Sequence, residues 1–110
     1  MKVETRTDGS WQTLVLDGEL DLATSERFRA ELIAAIEHSP HVAIDLRSVR
    51  FMDSSALGVI VQGMKRARER DGDLALIGPT GSPRKVLAIT ALDRVVRIVD
   101  DPTELDLDGV

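Results

Sequence analysis

The chain has 110 residues, no cysteine, and a formal net charge of −5 from fourteen Lys and Arg against nineteen Asp and Glu. This length fits one domain, which can bury about two-thirds of its unfolded surface and fold without disulfides or a structural metal. The lack of cysteine excludes disulfides, thiolate metal sites and cysteine nucleophiles. The acidic balance argues against direct binding to nucleic acid, which needs a basic surface.

The first six residues alternate in polarity and lack the apolar centre of a signal peptide. No apolar run approaches the length of about 20 residues that a membrane-spanning helix needs. We therefore expect a cytoplasmic protein with no membrane partner.

The chain opens with a predicted antiparallel hairpin. Residues 3–7 alternate at period two, the Asp-Gly pair at 8–9 is a hairpin-turn signal, and residues 11–16 resume strand-forming types. The Asp-Gly pair at 17–18 is predicted to end the second strand.

A first helix is predicted from Thr24 and Ser25, either of which could cap its free N–H groups, to about His38. The Ser-Pro pair at 39–40 stops it, because proline removes a donor and disfavours helical geometry before it. A third strand is predicted over residues 41–46.

A second helix is predicted from Ser54 to Arg70, because apolar residues recur there at helical spacing. The glycine of the pair at 71–72 is expected to take the left-handed conformation that closes a helix. The last turns carry four cations, Lys65, Arg66, Arg68 and Arg70. These cations complement the helix dipole, and we interpret them as a solvated face rather than a binding patch.

The last third of the chain is predicted to begin with a buried strand at residues 74–77. A short helix follows, in which Ser82 supplies a capping hydroxyl ahead of Pro83 at the first helical position. Residues 95–99 are predicted to form a last strand or edge segment.

Strands and helices therefore follow the order β-β-α-β-α-β-α-β. Because βαβ crossovers are right-handed, successive helices should lie on one side of the sheet. The predicted fold is an α/β domain over residues 1–99, with a single mixed β-sheet, an N-terminal antiparallel hairpin and helices packed mainly on one face. Residues 100–110 are rich in Asp and Glu and are expected to form a loosely held acidic C-terminal tail.

The residues present do not favour an enzyme. The two histidines, His38 and His41, have no metal-ligand spacing, and we interpret them as surface residues. A small hydrolase using Ser55 would need a base, and the neighbouring Asp53 is a weak one at its ordinary pKa of about 4. The chain also has no Gly-x-Ser-x-Gly elbow and no phosphate-binding glycine loop, so we expect no catalytic residue, no metal and no cofactor.

The most distinctive stretch is the strand-to-helix turn Asp53-Ser54-Ser55. Plain capping explains it, because one of these side chains can accept from the free N–H groups of the helix. It could also be a modification site, since a phosphate there would meet the helix dipole and repel an acidic partner surface. The small residues Ala56 and Gly58 keep the nearby surface low, as docking requires, although close helix–sheet packing explains Gly58 equally well.

Residues 51–59, FMDSSALGV, resemble the signature of STAS-domain anti-sigma factor antagonists, which are bacterial partner-switching proteins. Residues 18–24, GELDLAT, resemble the family's other recurrent stretch before the first helix. Residues 82–87 and 92–95 resemble its C-terminal third. The similarity covers about residues 3–99 and implies a STAS-like fold.

The resemblance implies a transcription regulator that is a phosphoprotein. In the family the second serine of this turn accepts the phosphate, which corresponds to Ser55, with Ser54 as the second choice. An anti-sigma factor serine kinase, which binds the ATP, adds the phosphate, and a serine phosphatase removes it. The unmodified antagonist binds the anti-sigma factor and so frees the sigma factor. The expected partner-binding residues are Asp21, Thr24, Asp53, Ser54, Ser55, Ala56 and Gly58. The resemblance implies Asp21, Asp53, Ser54 and Ser55, and the small size of Ala56 and Gly58 adds those two.

An alternative stays open, because STAS domains also occur as scaffolds or accessory subunits that are not phosphorylated. Such domains belong to stress-signalling assemblies or lipid-transport complexes. One position also departs from the family pattern: this chain has Ala91 where the family often has glycine. The third helix is therefore expected to end without a left-handed glycine.

Overall fold

The computed structural model describes residues 1–105, and the rest of the predicted tail, residues 106–110, lies outside the described residues. The strands and helices follow the predicted order. The strands are β1 (Lys2–Asp8), β2 (Trp11–Leu20), β3 (His41–Met52), β4 (Asp73–Ile77) and β5 (Arg97–Val99), and the helices are α1 (Ser25–His38), α2 (Ser54–Glu69) and α3 (Gly81–Ile89). Short 3-10 turns span Leu92–Arg94 and Pro102–Glu104.

The strands form one mixed sheet in the order β1-β2-β3-β4-β5. β1 is antiparallel to β2, and β2, β3, β4 and β5 are parallel to one another. Because the strand order does not reverse, right-handed crossovers bring the three helices to one face of the sheet. The predicted fold class is confirmed. Within residues 1–105, no helix has the length and apolar character needed to cross a membrane.

The main core lies between the sheet and the helices. Along β4 the side chains alternate, and Leu74 and Leu76 face the helices. There they are buried together with Phe28 of α1 and Ile60 of α2. This packing fixes the beginning of each helix relative to the ends of the parallel strands.

Two strands run further than predicted. β2 does not end at residues 17–18 but continues to Leu20, and β3 continues past Leu46 to Met52. The pairing of these two strands shifts register twice within residues 15–19. Such irregularities break the period-two pattern by which a strand is identified in sequence. The consequence for the fold is that β2 and β3 end side by side.

The chain that follows β5 covers the other face of the sheet. Residues 100–105 are packed there rather than loosely held, because Leu105 is 0% exposed and joins a second buried cluster. Arg97 Nη2 donates to the carbonyl oxygens of Glu104 and Leu105, both at 3.1 Å. The other members of this cluster are Trp11, Ala43, Ala75, Ile77 and Val99.

A buried carboxylate ties the hairpin to the middle of the sheet. Asp45 of β3 is 3% exposed and accepts from Arg47 at 2.7 Å and from Arg6 of β1 at 3.2 Å. Burial raises the pKa of Asp45, but the hydrogen bonds from the two arginines outweigh it and hold this pKa below its usual value. Asp45 is therefore ionised at neutral pH, and its charge is paired.

The helix ends differ from expectation in one respect and agree in another. After α2 the left-handed residue is Asp71, with a φ of 60°, and not Gly72. Gly72 is required for close approach, since a Cβ there would lie 1.9 Å from the Pro40 carbonyl oxygen. After α3, Ala91 itself takes the left-handed conformation, with a φ of 59°, at a cost of roughly 1–2 kcal/mol. That helix therefore ends without glycine but keeps the geometry that glycine usually provides.

Candidate functional site

The candidate site lies where β2 and β3 end side by side. Leu20 pairs with Met52 across the sheet, and the Asp53 N–H donates to the Leu20 carbonyl oxygen at 3.0 Å. The loop after β2 and the turn before α2, far apart in the sequence, therefore form one surface.

The beginning of α3 is attached to the same place. The Met52 N–H donates to the Ser82 hydroxyl oxygen at 3.3 Å. Ser82 does not cap α3 as predicted, because the helix already begins at Gly81 and the Ser82 hydroxyl faces the end of β3. The three helices thus all begin at the edge where the parallel strands end.

Asp53 is the N-cap of α2, as one of the two interpretations of the turn predicted. Its Oδ1 accepts from the Ser55 backbone N–H at 2.9 Å and from the Ser55 hydroxyl at 2.5 Å. The hydroxyl of Ser55 is the main cause of a lowered Asp53 pKa; burial opposes it, and backbone N–H groups, Leu22 among them, add to it. Asp53 is therefore ionised at neutral pH, and its carboxylate orients the Ser55 hydroxyl by accepting a hydrogen bond from it.

The two serines of the turn differ in environment. Ser55 is half-buried, and its hydroxyl is oriented by Asp53. Ser54 is exposed, and its hydroxyl has no hydrogen-bond partner in the described part of the chain. Exposure alone would favour Ser54 as a modification site, whereas a defined orientation of the hydroxyl favours Ser55.

Asp21 and Thr24 hold each other in a closed loop before α1. The Asp21 N–H donates to the Thr24 hydroxyl oxygen at 3.0 Å, and the Thr24 N–H donates to Asp21 Oδ1 at 3.1 Å. The Thr24 hydroxyl donates to the Glu19 carbonyl oxygen, and the Ser25 hydroxyl donates to the Leu22 carbonyl oxygen. The prediction that Thr24 or Ser25 caps α1 is therefore wrong, because both hydroxyls donate backward into the loop.

Ala56 and Gly58 have opposite environments. Ala56 is 1% exposed and lies in the main core, so the expectation that its side chain contacts a partner is corrected. Gly58 is exposed, and a Cβ built there meets no atom within 4 Å. Packing against the sheet does not explain this glycine, which costs about 1 kcal/mol relative to alanine inside a helix. The other explanation of Gly58, close approach by a partner, stays a prediction.

Two exposed apolar side chains flank the turn, and neither was predicted from the sequence. Leu22 is 78% exposed and Phe51 is 43% exposed. Phe51 was missed because the predicted third strand stopped too early to assign it a face. Exposed large apolar residues grouped on a small domain mark interaction sites. We call the following residues the strand-end surface: Asp21, Leu22, Phe51, Asp53, Ser54, Ser55 and Gly58.

The histidines and acidic residues form no second candidate site. The His41 ring meets Trp11 edge-on, with ring centroids 5.3 Å apart. Within residues 1–105, no three His, Asp or Glu side chains are grouped closely enough to hold a metal ion. The strand-end surface is therefore the site to which the chemistry of the chain points.

Known proteins are similar to this chain in both sequence and fold. Residues 2–107 match the family model described as the STAS domain. An anti-sigma F factor antagonist of Paenibacillus polymyxa is 32% identical over 98 residues, which cover 84% of this chain and 84% of that protein.

Two solved structures named SpoIIAA show the same architecture. The anti-sigma factor antagonist SpoIIAA in its unphosphorylated form matches with a TM-score of 0.81 at 23% identity, covering 99% of this chain and 98% of that one. The Bacillus cell fate determinant SpoIIAA in the phosphorylated form matches with a TM-score of 0.69 at 25% identity, covering 96% of each chain.

Proposed function

The chain belongs to the STAS-domain family, and on this premise we propose that it is an anti-sigma factor antagonist that regulates transcription by partner switching. In the unphosphorylated form it binds an anti-sigma factor serine kinase in the cytoplasm, and the sigma factor is released. The partner binds the ATP, while this chain supplies a docking surface and a hydroxyl and performs no catalysis. The relative from Paenibacillus polymyxa, named an anti-sigma F factor antagonist, supports this role.

The observation that carries the proposal is the oriented Ser55 hydroxyl at the beginning of α2, 2.5 Å from Asp53 Oδ1. A phosphate on Ser55 meets the positive end of the helix dipole and leaves the domain folded. It adds about −1.5 to −2 charges beside Asp53, in the middle of the strand-end surface. A partner packed on that surface is then repelled, and a serine phosphatase restores binding.

Several residues of the strand-end surface have distinct roles in this proposal. Leu22 and Phe51 supply apolar contact to the partner, and Asp21 supplies a charged one. Thr24 is half-buried and bonded to Asp21, so it positions that carboxylate rather than contacting the partner itself. Gly58 allows the partner to approach α2 closely.

Release of a sigma factor tests the proposed function. Unphosphorylated protein added to a complex of the cognate anti-sigma and sigma factors should free the sigma factor, as measured by size-exclusion chromatography and by transcription in vitro. Protein phosphorylated beforehand is the control and should free none. No binding to the anti-sigma factor contradicts the proposal, and the absence of phosphate on protein from its native cells would favour the scaffold role.

Gly58→Ala is expected to stabilise the free protein while weakening binding of the anti-sigma factor. The new methyl group meets no protein atom, so the free energy of unfolding should rise by about 0.5–1 kcal/mol. Affinity should fall by about fivefold, or roughly 1 kcal/mol, because the methyl stands where the partner approaches. Thermal unfolding and a binding titration measure the two effects.

The control for this variant is Ala34→Gly, at an exposed position of α1 outside the strand-end surface. Its free energy of unfolding should fall by about as much as that of Gly58→Ala rises, because only helix propensity changes there. Its binding of the anti-sigma factor should be unchanged. Unchanged affinity of Gly58→Ala would remove Gly58 from the docking surface.

A further inference from the structure

A groove on the outer side of the helical layer takes no part in the proposed switch. It lies between α1 and α2 and has a volume of about 280 Å³. Its floor is apolar, formed by Leu32 and Val59 with Gly63 between the helices. A Cβ at Gly63 would lie 2.5 Å from a methyl carbon of Leu32, so this glycine lets the two helices close over the floor.

The rim of the groove is basic, although the chain as a whole is acidic. Arg29, Lys65 and Arg66 line it together with one carboxylate, that of Glu69. The net charge of the chain is −5. The rim of the groove therefore carries net positive charge, opposite to the net charge of the chain, and this favours an acidic occupant over a basic one.

The four cations at the C-terminal end of α2, first interpreted as one solvated face, fall into two groups. Arg68 pairs with Asp73 at 3.0 Å, and Arg70 donates to a backbone carbonyl of α1. Lys65 and Arg66 are exposed and have no hydrogen bond or ion pair with any residue from 1 to 105. Arg68 and Arg70 therefore stabilise the fold, whereas Lys65 and Arg66 are available to a partner.

The groove continues the strand-end surface along α2. Gly58, Gln62 and Arg66 follow one another at intervals of four residues and so share one side of the helix. Arg66 lies about 16 Å along the helix axis from Ser55, at 1.5 Å per residue. A protein seated on the strand-end surface can therefore extend into the groove, whereas a phosphate on Ser55 is too distant to pair with Arg66.

We propose that this groove receives an acidic segment with an apolar face, contributed by the anti-sigma factor; this rests on the proposed function. Carboxylates of the segment pair with Lys65 and Arg66, and its apolar face covers Leu32 and Val59. The groove thus docks the kinase at a distance from the phosphorylated hydroxyl. It determines how tightly the kinase is held and not how fast the held serine reacts.

The test reverses the charge of the rim in the full chain with the double variant Lys65→Glu, Arg66→Glu. Affinity for the unphosphorylated cognate anti-sigma factor should fall at least about tenfold in a titration. The KM for phosphorylation by that kinase should rise while kcat stays the same, because docking and chemistry are separate. The matched control, Lys2→Glu with Arg94→Glu, makes the same charge change at exposed positions outside the groove and should behave as wild type.

The outcomes separate this inference from the proposed function. If the wild type binds the anti-sigma factor and the groove variant binds equally well, with an unchanged thermal unfolding curve, the groove is not the docking site. Equal loss in the control variant would assign the effect to net charge and also overturn the inference. A third outcome is that the groove variant still binds the anti-sigma factor as the wild type does, but only the wild type binds phosphatidylglycerol vesicles. The groove would then bind a lipid surface and not a segment of the anti-sigma factor. A wild type that binds no anti-sigma factor refutes the proposed function and, with it, this partner.

Discussion

Ser55→Ala should accept no phosphate from the cognate kinase, whereas Ser54→Ala should accept one phosphate per molecule. Both variants remove one hydroxyl from the same turn, so they form a matched pair. The Ser55 hydroxyl is held in one orientation by Asp53, while that of Ser54 has no partner within residues 1–105. Intact-mass measurement after incubation with kinase and ATP distinguishes them. Phosphate found on Ser55→Ala and missing from Ser54→Ala would move the acceptor to Ser54.

Binding by the Ser55 variants tests whether charge is the switch. Ser55→Asp should bind the anti-sigma factor at least about tenfold more weakly than wild type, a loss of roughly 1.4 kcal/mol. The phosphorylated wild type should bind more weakly still, because it carries a larger negative charge beside Asp53. Ser55→Ala removes the hydroxyl without adding charge and should bind nearly as the wild type. Equal affinities for the Asp and Ala variants would exclude charge as the cause.

The hydrogen bonds of Asp53 show how phosphorylation can change more than one atom of the surface. Its Oδ1 accepts both the N–H and the O–H of Ser55. Phosphorylation removes that O–H donor and sets phosphate oxygens against the carboxylate, so we expect the two groups to separate. Losing the cap costs about 1 kcal/mol, which a domain tolerates. The Leu22 backbone N–H helps to lower the pKa of Asp53, so we expect this rearrangement to reach the apolar part of the strand-end surface.

Sequence reasoning succeeded where the determining contacts are local. The hairpin, the helices and their order follow from turn residues and periodicity. A cap from the Asp-Ser-Ser turn follows from its place before a helix, and the structure identifies Asp53 as that cap. The reasoning failed where distant residues decide. Gly72 looked like a left-handed helix end, but its lack of a side chain is required by Pro40, on another connection of the fold.

The same distinction applies to the candidate site. The Asp-Ser-Ser turn is continuous in sequence and was identified from it. Leu22 and Phe51 were not identified. Leu22 lies in the loop after β2, where no period assigns a face, and Phe51 lies beyond the predicted end of the third strand, after two register shifts between β2 and β3. For Gly58, sequence left two explanations open, and the empty space around its missing Cβ argues against close packing on the sheet, while contact with a partner stays a prediction.

Leu105→Ala should lower the free energy of unfolding by about 2–5 kcal/mol, the range for a leucine truncated in a core. Leu105 is 0% exposed and covers the face of the sheet opposite the helices. Its matched control is Leu22→Ala, the same deletion at a side chain that is 78% exposed, which should change stability by no more than about 0.5 kcal/mol. Urea unfolding followed by the fluorescence of Trp11 measures both, since this single tryptophan lies in the same cluster as Leu105.

The size of this effect decides where the folding unit ends. The sequence placed the end of the domain at Val99, because the residues beyond it are mostly acidic and a single leucine among them carries no periodic signal. Arg97 of β5 donates two hydrogen bonds to the carbonyl oxygens of Glu104 and Leu105, and no sequence pattern predicts these bonds either. A loss above about 2 kcal/mol means that residues 100–105 belong to the domain and that removing them uncovers Trp11 and its neighbours. A loss no larger than that of Leu22→Ala would mean that the segment leaves the sheet in solution, and the boundary at Val99 would stand.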